Sequence, residues 1–172
     1  GLFNIADFEE AIDNKTRLVA ITHVSNVLGA ITPVEEVAKI AHEHDAHLLI
    51  DGAQSVPHLK VDVQRIGCDY LAFSGHKMLG PTGVGVLYMR RELLDNMEPM
   101  SIGGGTITDV GLDYYELAKS PMKFEAGTPP IAEAMGLGAA VDYLKGVQLE
   151  NIETHERELV KKMYRGLADV PN

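Results

Sequence analysis

Two stretches of the chain end in groups that could do covalent chemistry together. The apolar run Tyr70-Leu71-Ala72-Phe73 stops at Ser74-Gly75-His76-Lys77, and the glycine-rich turn Gly80-Pro81-Thr82-Gly83-Val84-Gly85 precedes the next apolar run, Val86-Leu87-Tyr88. Twenty-six residues before Lys77, the run His47-Leu48-Leu49-Ile50 stops at Asp51-Gly52-Ala53-Gln54. Open α/β sheets bind ligands outside the carboxyl ends of their strands. The two endings therefore aim an amine and a carboxylate at one crevice. A lysine for a Schiff base and an acid for a pyridine nitrogen are the pair that pyridoxal phosphate chemistry requires. Lys77 has to be deprotonated to condense with an aldehyde, which a lysine with a pKa of about 10.4 does poorly until burial lowers it. Each residue also has an ordinary reading: a surface lysine, and an aspartate capping the turn that follows it.

The elements that position this pair follow from pattern. Asp7–Ile12 reads as a short amphipathic helix with Asp7 as N-cap. Arg17–His23 reads as a strand apolar enough to be buried on both faces, and it leaves through Val24-Ser25-Asn26 on the carboxyl edge. Thr32 is expected to cap a helix that has Pro33 at its first position and Val34, Val37, Ala38 and Ala41 as its apolar stripe. Ala46–Ile50 is the next strand, giving a β-α-β unit with a right-handed crossover. Asp62–Ile66 is a short helix stopped by Gly67, and Asp69–Ser74 is the third strand. Val84–Met89 follows too closely for a helical crossover and should run antiparallel. Arg91–Asn96 reads as a short helix. Glu98–Pro121 shows no sustained period and is either a mobile linker or a functional loop around Ser101–Thr106. After an extended piece at Phe124–Pro130, Ile131–Gly146 and Asn151–Leu167 read as two helices parted at Gly146.

Asp51-Gly52-Ala53-Gln54 together with Phe73-Ser74-Gly75-His76-Lys77-Met78-Leu79-Gly80-Pro81-Thr82-Gly83 resembles the core of the class V aminotransferase group of fold type I enzymes. His23-Val24-Ser25-Asn26-Val27-Leu28-Gly29 and Phe124-Glu125-Ala126-Gly127-Thr128-Pro129 resemble the cysteine desulfurases of the sulfur-mobilising type, a group with selenocysteine lyase-like members. The resemblance implies an α/β fold: a three-layer α-β-α large domain whose sheet is mostly parallel with one antiparallel strand. It makes residues 1–172 the central part of that domain, with the helices of 131–172 leading toward a small domain. Gly1 has no methionine before it, which reads as a fragment or processed boundary, and members of the family are more than twice this length.

The resemblance also implies a site. Lys77 would carry pyridoxal 5'-phosphate as a Schiff base, Asp51 would pair with the ring nitrogen, and Gln54 would meet the phenolic oxygen. Ser74, at the strand end beside the lysine, would hold phosphate, and His76 would bind phosphate or fix the lysine. Asn26 would reach a cofactor oxygen or the substrate carboxylate. Thr128, with the Gly127 amide, would reach a phosphate across the interface of a homodimer. The implied reaction takes sulfur from L-cysteine, leaving alanine and an enzyme persulfide, with L-selenocysteine as the other candidate substrate. A sulfur-acceptor protein and iron–sulfur cluster assembly would follow. The attacking cysteine and the carboxylate-binding arginine are expected outside residues 1–172, so these residues alone should not desulfurise cysteine. Another class V reaction (kynurenine-type hydrolysis, transamination, selenocysteine cleavage) or an inert interaction module are the alternatives.

Composition narrows the partners. The 172 residues are 45% hydrophobic and 23% charged, with a net charge of −10 and no basic stripe. That argues for one globular domain and against nucleic acid or an anionic membrane. No apolar run approaches the roughly 20 residues of a membrane span, and no signal peptide is evident. The single cysteine, Cys68, permits no internal disulfide and suits a reducing cytoplasm. Because Cys68 opens an apolar strand, it reads as a small buried hydrophobe before it reads as a nucleophile. His42, His44 and His47 cluster without any metal-binding spacing, and at a helix end they suit the dipole, so no metal is expected. The nucleotide and dinucleotide glycine fingerprints are absent.

Overall fold

The structure, a computed structural model, describes residues 2–168 and 170. Four strands form the main sheet: β1 (Leu18–Thr22), β2 (His47–Asp51), β3 (Tyr70–Ser74) and β4 (Gly85–Met89), in the order β1-β2-β3-β4. The first three are parallel, and β4 runs antiparallel to β3, with Ser74 opposite Gly85 and Tyr70 opposite Met89. This is the mostly parallel α/β sheet expected. The central strand β2 contributes Leu48 and Ile50, both fully buried.

The edge strand β1 departs from expectation. Its residues alternate between exposed and half-buried, so only one face is covered. Val19 and Ile21 pack against the core while Leu18, Ala20 and Thr22 face out. A strand with a helix on one side only shows the period of two that separates its faces.

Helix α1 (Ile5–Ala11) is capped by Asn4, not Asp7: the Asn4 side chain accepts from the Ala6 amide at 3.1 Å. Asp7 lies inside the first turn, where its charge suits the positive helix end. Helix α2 (Val34–Glu43) buries Val34, Val37, Ala38, Ile40 and Ala41, so the expected stripe is correct. Its N-terminus is not capped by Thr32, whose hydroxyl donates instead to the Thr22 carbonyl at 2.7 Å, and Pro33 occupies the cap position. Thr32 thus ties the helix to the end of β1. Helix α3 (Val63–Ile66) forms as read: Asp62 accepts from the Gln64 and Arg65 amides, and Gly67 ends it at φ 77°.

After α4 (Arg91–Asn96), the region 98–121 is not without structure, although Ser101–Thr106 stays a loop. It forms an antiparallel ribbon of β5 (Ile107–Val110) and β6 (Tyr115–Leu117). Most of its residues are exposed and its register shifts between Ile107 and Asp109, so no clean alternation marks it in the sequence. Helix α5 (Ile131–Val147) runs through Gly146, and the break before α6 (Leu149–Ala168) falls at Gln148, with φ 70°. Leu144 is buried and accepts the Gln148 amide, so burial of the last turn of α5 overrides the weak helix former.

The largest core cluster joins α2, β2 and β3 through Val37, Leu48, Ile50, Cys68 and Leu71. A second joins α5 to the turn after β3 through Met78, Leu137 and Leu144. At the amino end of β3 sits Asp69, 1% exposed. Its Oδ2 lies 2.8 Å from His42 Nε2 and accepts from the Leu48 amide at 2.8 Å, and its Oδ1 accepts from Arg90 at 2.9 Å. One carboxylate therefore clasps α2, β2, β3 and the end of β4. Burial would push this carboxyl up, but His42, the Leu48 amide and Arg90 together hold it below its usual value. His42 is thus a partner of Asp69, and His47 meets the ring of Tyr70 edge-on.

Candidate active site

The carboxyl ends of β1, β2 and β3 fall in one row. Thr22 is in register with Asp51, and Asp51 with Ala72. Backbone bonds continue the row past the strands, with His23 N–H donating to the Asp51 carbonyl at 3.0 Å and Gly52 N–H to the Ala72 carbonyl at 2.8 Å. β3 runs two residues beyond Ala72, about 6.6 Å, before it turns. Ser74 and the 3-10 turn Gly75–Met78 therefore overhang the end of β2.

Asp51 is exposed, and its Oδ1 accepts from the Ala53 amide at 2.9 Å. It caps its turn, as the ordinary reading has it, yet Oδ2 has no partner among the described residues. The turn is stiff: Ser55 and Val56 amides donate to the Gly52 carbonyl, His58 and Leu59 amides to that of Ser55, and Ser55 is fully buried. Gln54 rides on this turn.

Lys77 and His76 are exposed, and Met78 between them and the next turn is buried against α5. Lys77 makes no hydrogen bond or ion pair among the described residues, so its amine is free. The burial expected around it is not supplied by these residues. Its backbone is nonetheless fixed. Gly75 N–H donates to the Val84 carbonyl and Gly80 N–H to the Gly75 carbonyl. A Cβ on Gly75 would stand 2.8 Å from Val84 Cγ1 and 3.0 Å from its carbonyl oxygen, so only glycine lets the two segments close. Leu79, the next residue but one, holds φ 65° without being glycine. Strain of that kind gathers at functional turns.

Asn26 sits at the crest of a loop closed by the Val24–Ile31 bridge and by Ser25, whose Oγ accepts the Val27 and Leu28 amides. Asn26 and Gln54 line a single cleft of about 540 Å³, and its far wall is α6, through Glu153, Glu156 and Val160. Thr128 stands apart, exposed, on a loop whose Gly127 amide donates to the Gly104 carbonyl at 2.8 Å. Among the described residues it makes no bond to the sheet-edge group.

Cys68 lies just before the amino end of β3 and Lys77 beyond its carboxyl end, so the strand's five residues, about 16 Å long, stand between them. It is buried, and burial pushes its thiol up to about 11. Such a thiol stays protonated and unreactive. His23 was not singled out in the sequence. It is buried beside Asp51, its Nδ1 has no partner among the described residues, and burial lowers its pKa against the pull of Glu35. Its one visible signal is its place at the exit of β1, three residues before Asn26.

The donor set fits a flat anionic cofactor with a basic ring nitrogen. It offers a carboxylate with an open oxygen, a free amine about one strand away, two amide side chains on one cleft, and a hydroxyl and an imidazole beside the amine.

The family described as aminotransferase class-V matches residues 1–172. A relative named probable cysteine desulfurase, from Halalkalibacterium halodurans, is 56% identical over 170 residues, covering 99% of this chain and 42% of its own length. The apo structure of a cysteine desulfurase from Thermococcus onnurineus NA1 superposes with a TM-score of 0.94 at 48% identity, over 98% of this chain and 42% of that one. A C-DES variant with glycine covalently linked to its PLP cofactor superposes with a TM-score of 0.86 at 29% identity, over 96% of this chain and 45% of that one. The chain thus spans less than half the length of the curated relatives it matches.

Proposed function

Because this chain belongs to the aminotransferase class-V family, we propose that it forms the cofactor-holding centre of a pyridoxal 5'-phosphate-dependent cysteine desulfurase. The observation that carries this is the open carboxylate of Asp51 and the free amine of Lys77 at the carboxyl ends of neighbouring parallel strands. When bound, the cofactor draws electrons from the α-carbon of an attached amino acid. Asp51 Oδ2 would keep the ring nitrogen protonated through a charge-assisted hydrogen bond. Gln54 and Asn26 would orient the ring or the substrate from their shared cleft. Lys77 Nζ would hold the cofactor covalently and would serve as the base for the α-proton. Ser74 and His76 would hold its phosphate.

The substrate in this reading is L-cysteine or L-selenocysteine, and a sulfur-acceptor protein takes the product. The thiolate that receives sulfur is not Cys68, which lies buried at the other end of β3. Thr128 serves the site of a second copy in a homodimer, consistent with its exposure and its lack of a bond to the sheet-edge group among the described residues. Residues 1–172 form the central part of the large domain, with the helices of 131–172 leading toward a small domain. The cytoplasm is the proposed setting; no helix among the described residues is long and apolar enough to cross a membrane.

Titration with pyridoxal 5'-phosphate should produce a bound-cofactor absorbance band. Borohydride reduction should then fix the label on the peptide carrying Lys77. Lys77→Ala should lose the label and, in the intact enzyme, all turnover, while unfolding within about 0.5 kcal/mol of the parent, since its side chain is exposed. Label recovered on Lys60 or Lys123 would overturn the assignment.

A further inference from the structure

The cleft shared by Asn26 and Gln54 has one wall that the reading above does not use. Helix α6 buries no residue among those described, and only Ile152, near its start, packs against the cluster of Met78, Leu137 and Leu144. One turn further along, Glu156 Oε1 meets His58 Nδ1 at 2.6 Å, across 98 residues of sequence. The side chains are 38% and 42% exposed, so the pair is half withdrawn from water. A looser contact, Lys60 to Glu150 at 3.8 Å, lies wholly at the surface. His58 ends the stiff turn that starts at Gly52 and carries Gln54, with Asp51 immediately before it.

We propose that His58 and Glu156 are a positioning pair that fixes α6 against the turn carrying Asp51 and Gln54, and so sets how tightly this edge holds pyridoxal phosphate. The inference rests on the reading of that edge as a cofactor site. Its physical basis is the stiffness of the turn. Four backbone bonds make Gly52–Leu59 one body, so a force on His58 at one end moves Gln54 at the other. Ile152 is the one α6 residue packed against that core cluster, so the His58–Glu156 hydrogen bond is the contact that fixes the helix where it forms the cleft wall. Leaving α6 free would cost the cofactor ordering entropy on binding, which weakens affinity without altering any group that touches it.

The test uses purified protein with His58→Leu, Glu156→Ala, the double variant, and His58→Asn, which keeps an N–H donor near the Nδ1 position. Amide hydrogen exchange is measured without cofactor over 52–59 and 149–160, and affinity by titration with pyridoxal 5'-phosphate. Each of the first two variants should speed exchange in both segments and weaken cofactor binding about three- to tenfold. The double variant should be no worse than either single one, and His58→Asn should stay close to the parent. Unchanged exchange, additive losses in the double variant, or faster exchange at full affinity would each overturn the proposal, as would a His58→Asn variant as weak as His58→Leu. If the parent takes up no cofactor, the site reading and the affinity half of the proposal both fall. Exchange, measured without cofactor, separates that result from failure of the pair itself.

Discussion

Asp51 has one oxygen bonded to the Ala53 amide and one open, and one substitution separates the turn from the proposed cofactor contact. In Asp51→Asn the side-chain oxygen can still accept the Ala53 amide, so the turn persists, while the charge proposed to pair with the ring nitrogen is gone. Cofactor should still bind, and turnover of cysteine in the intact enzyme should fall by about 10²-fold or more, read from alanine release. Near-normal turnover would reduce Asp51 to a turn residue. Asp51 and Lys77 were legible in the sequence because each follows an apolar run, Asp51 directly before Gly52 and Lys77 within the glycine-marked turn from Gly75 to Gly80. Both cues are local, and they mark where a buried strand stops. Cys68 was legible as buried for the same reason. His23 was not, because nothing local shows that a histidine at a strand exit will be buried. Nor was the exposure of Lys77, since the burial first expected of it depends on what covers the sheet edge.

Elements with their own stop signals were read almost to the residue: α3 between Asp62 and Gly67, α4 at Arg91–Asn96, and β4 as the antiparallel strand. The misreadings arose where a neighbour outbid the local signal. Thr32 bonds to the end of β1 and so cannot cap α2, Asn4 caps α1 ahead of Asp7, and Gly146 stays helical because Leu144 is buried. The β5–β6 ribbon hid because an exposed ribbon needs no apolar alternation. The element least visible in sequence is the Asp69 clasp, whose three partners, His42, the Leu48 amide and Arg90, come from three separate segments. Asp69→Asn removes a buried acceptor from the Leu48 amide and Arg90 and should destabilise the fold by about 1–3 kcal/mol. A urea titration should show the midpoint fall with an unchanged slope. A loss below about 0.5 kcal/mol, the range of plain surface changes, would mean the clasp is idle.

At the scale of the molecule, two groups make the fold sensitive to acid in separate stages. Burial lowers the pKa of His23 from its ordinary 6.5, so as pH falls through that value the unfolded chain gains a proton that the folded one refuses. Stability therefore starts to decline below about pH 6.5. Asp69 is also held below its ordinary 3.8. Its contribution is complete above that value and disappears as pH falls through the folded pKa. Unfolding midpoints measured across pH should show both stages, and His23→Gln should remove the upper one only. An unaltered upper stage in that variant would assign it to another group. The antiparallel course of β4 has a mechanical consequence of its own. Because the chain returns beside itself, Lys77 lies at the apex of a hairpin whose legs meet at Asp69 and Arg90. Tension drawn along the polypeptide reaches this hairpin at its base, where it unzips one rung at a time. The Arg90 clasp is then the first closure to part, and the amine at the apex is the last point to move.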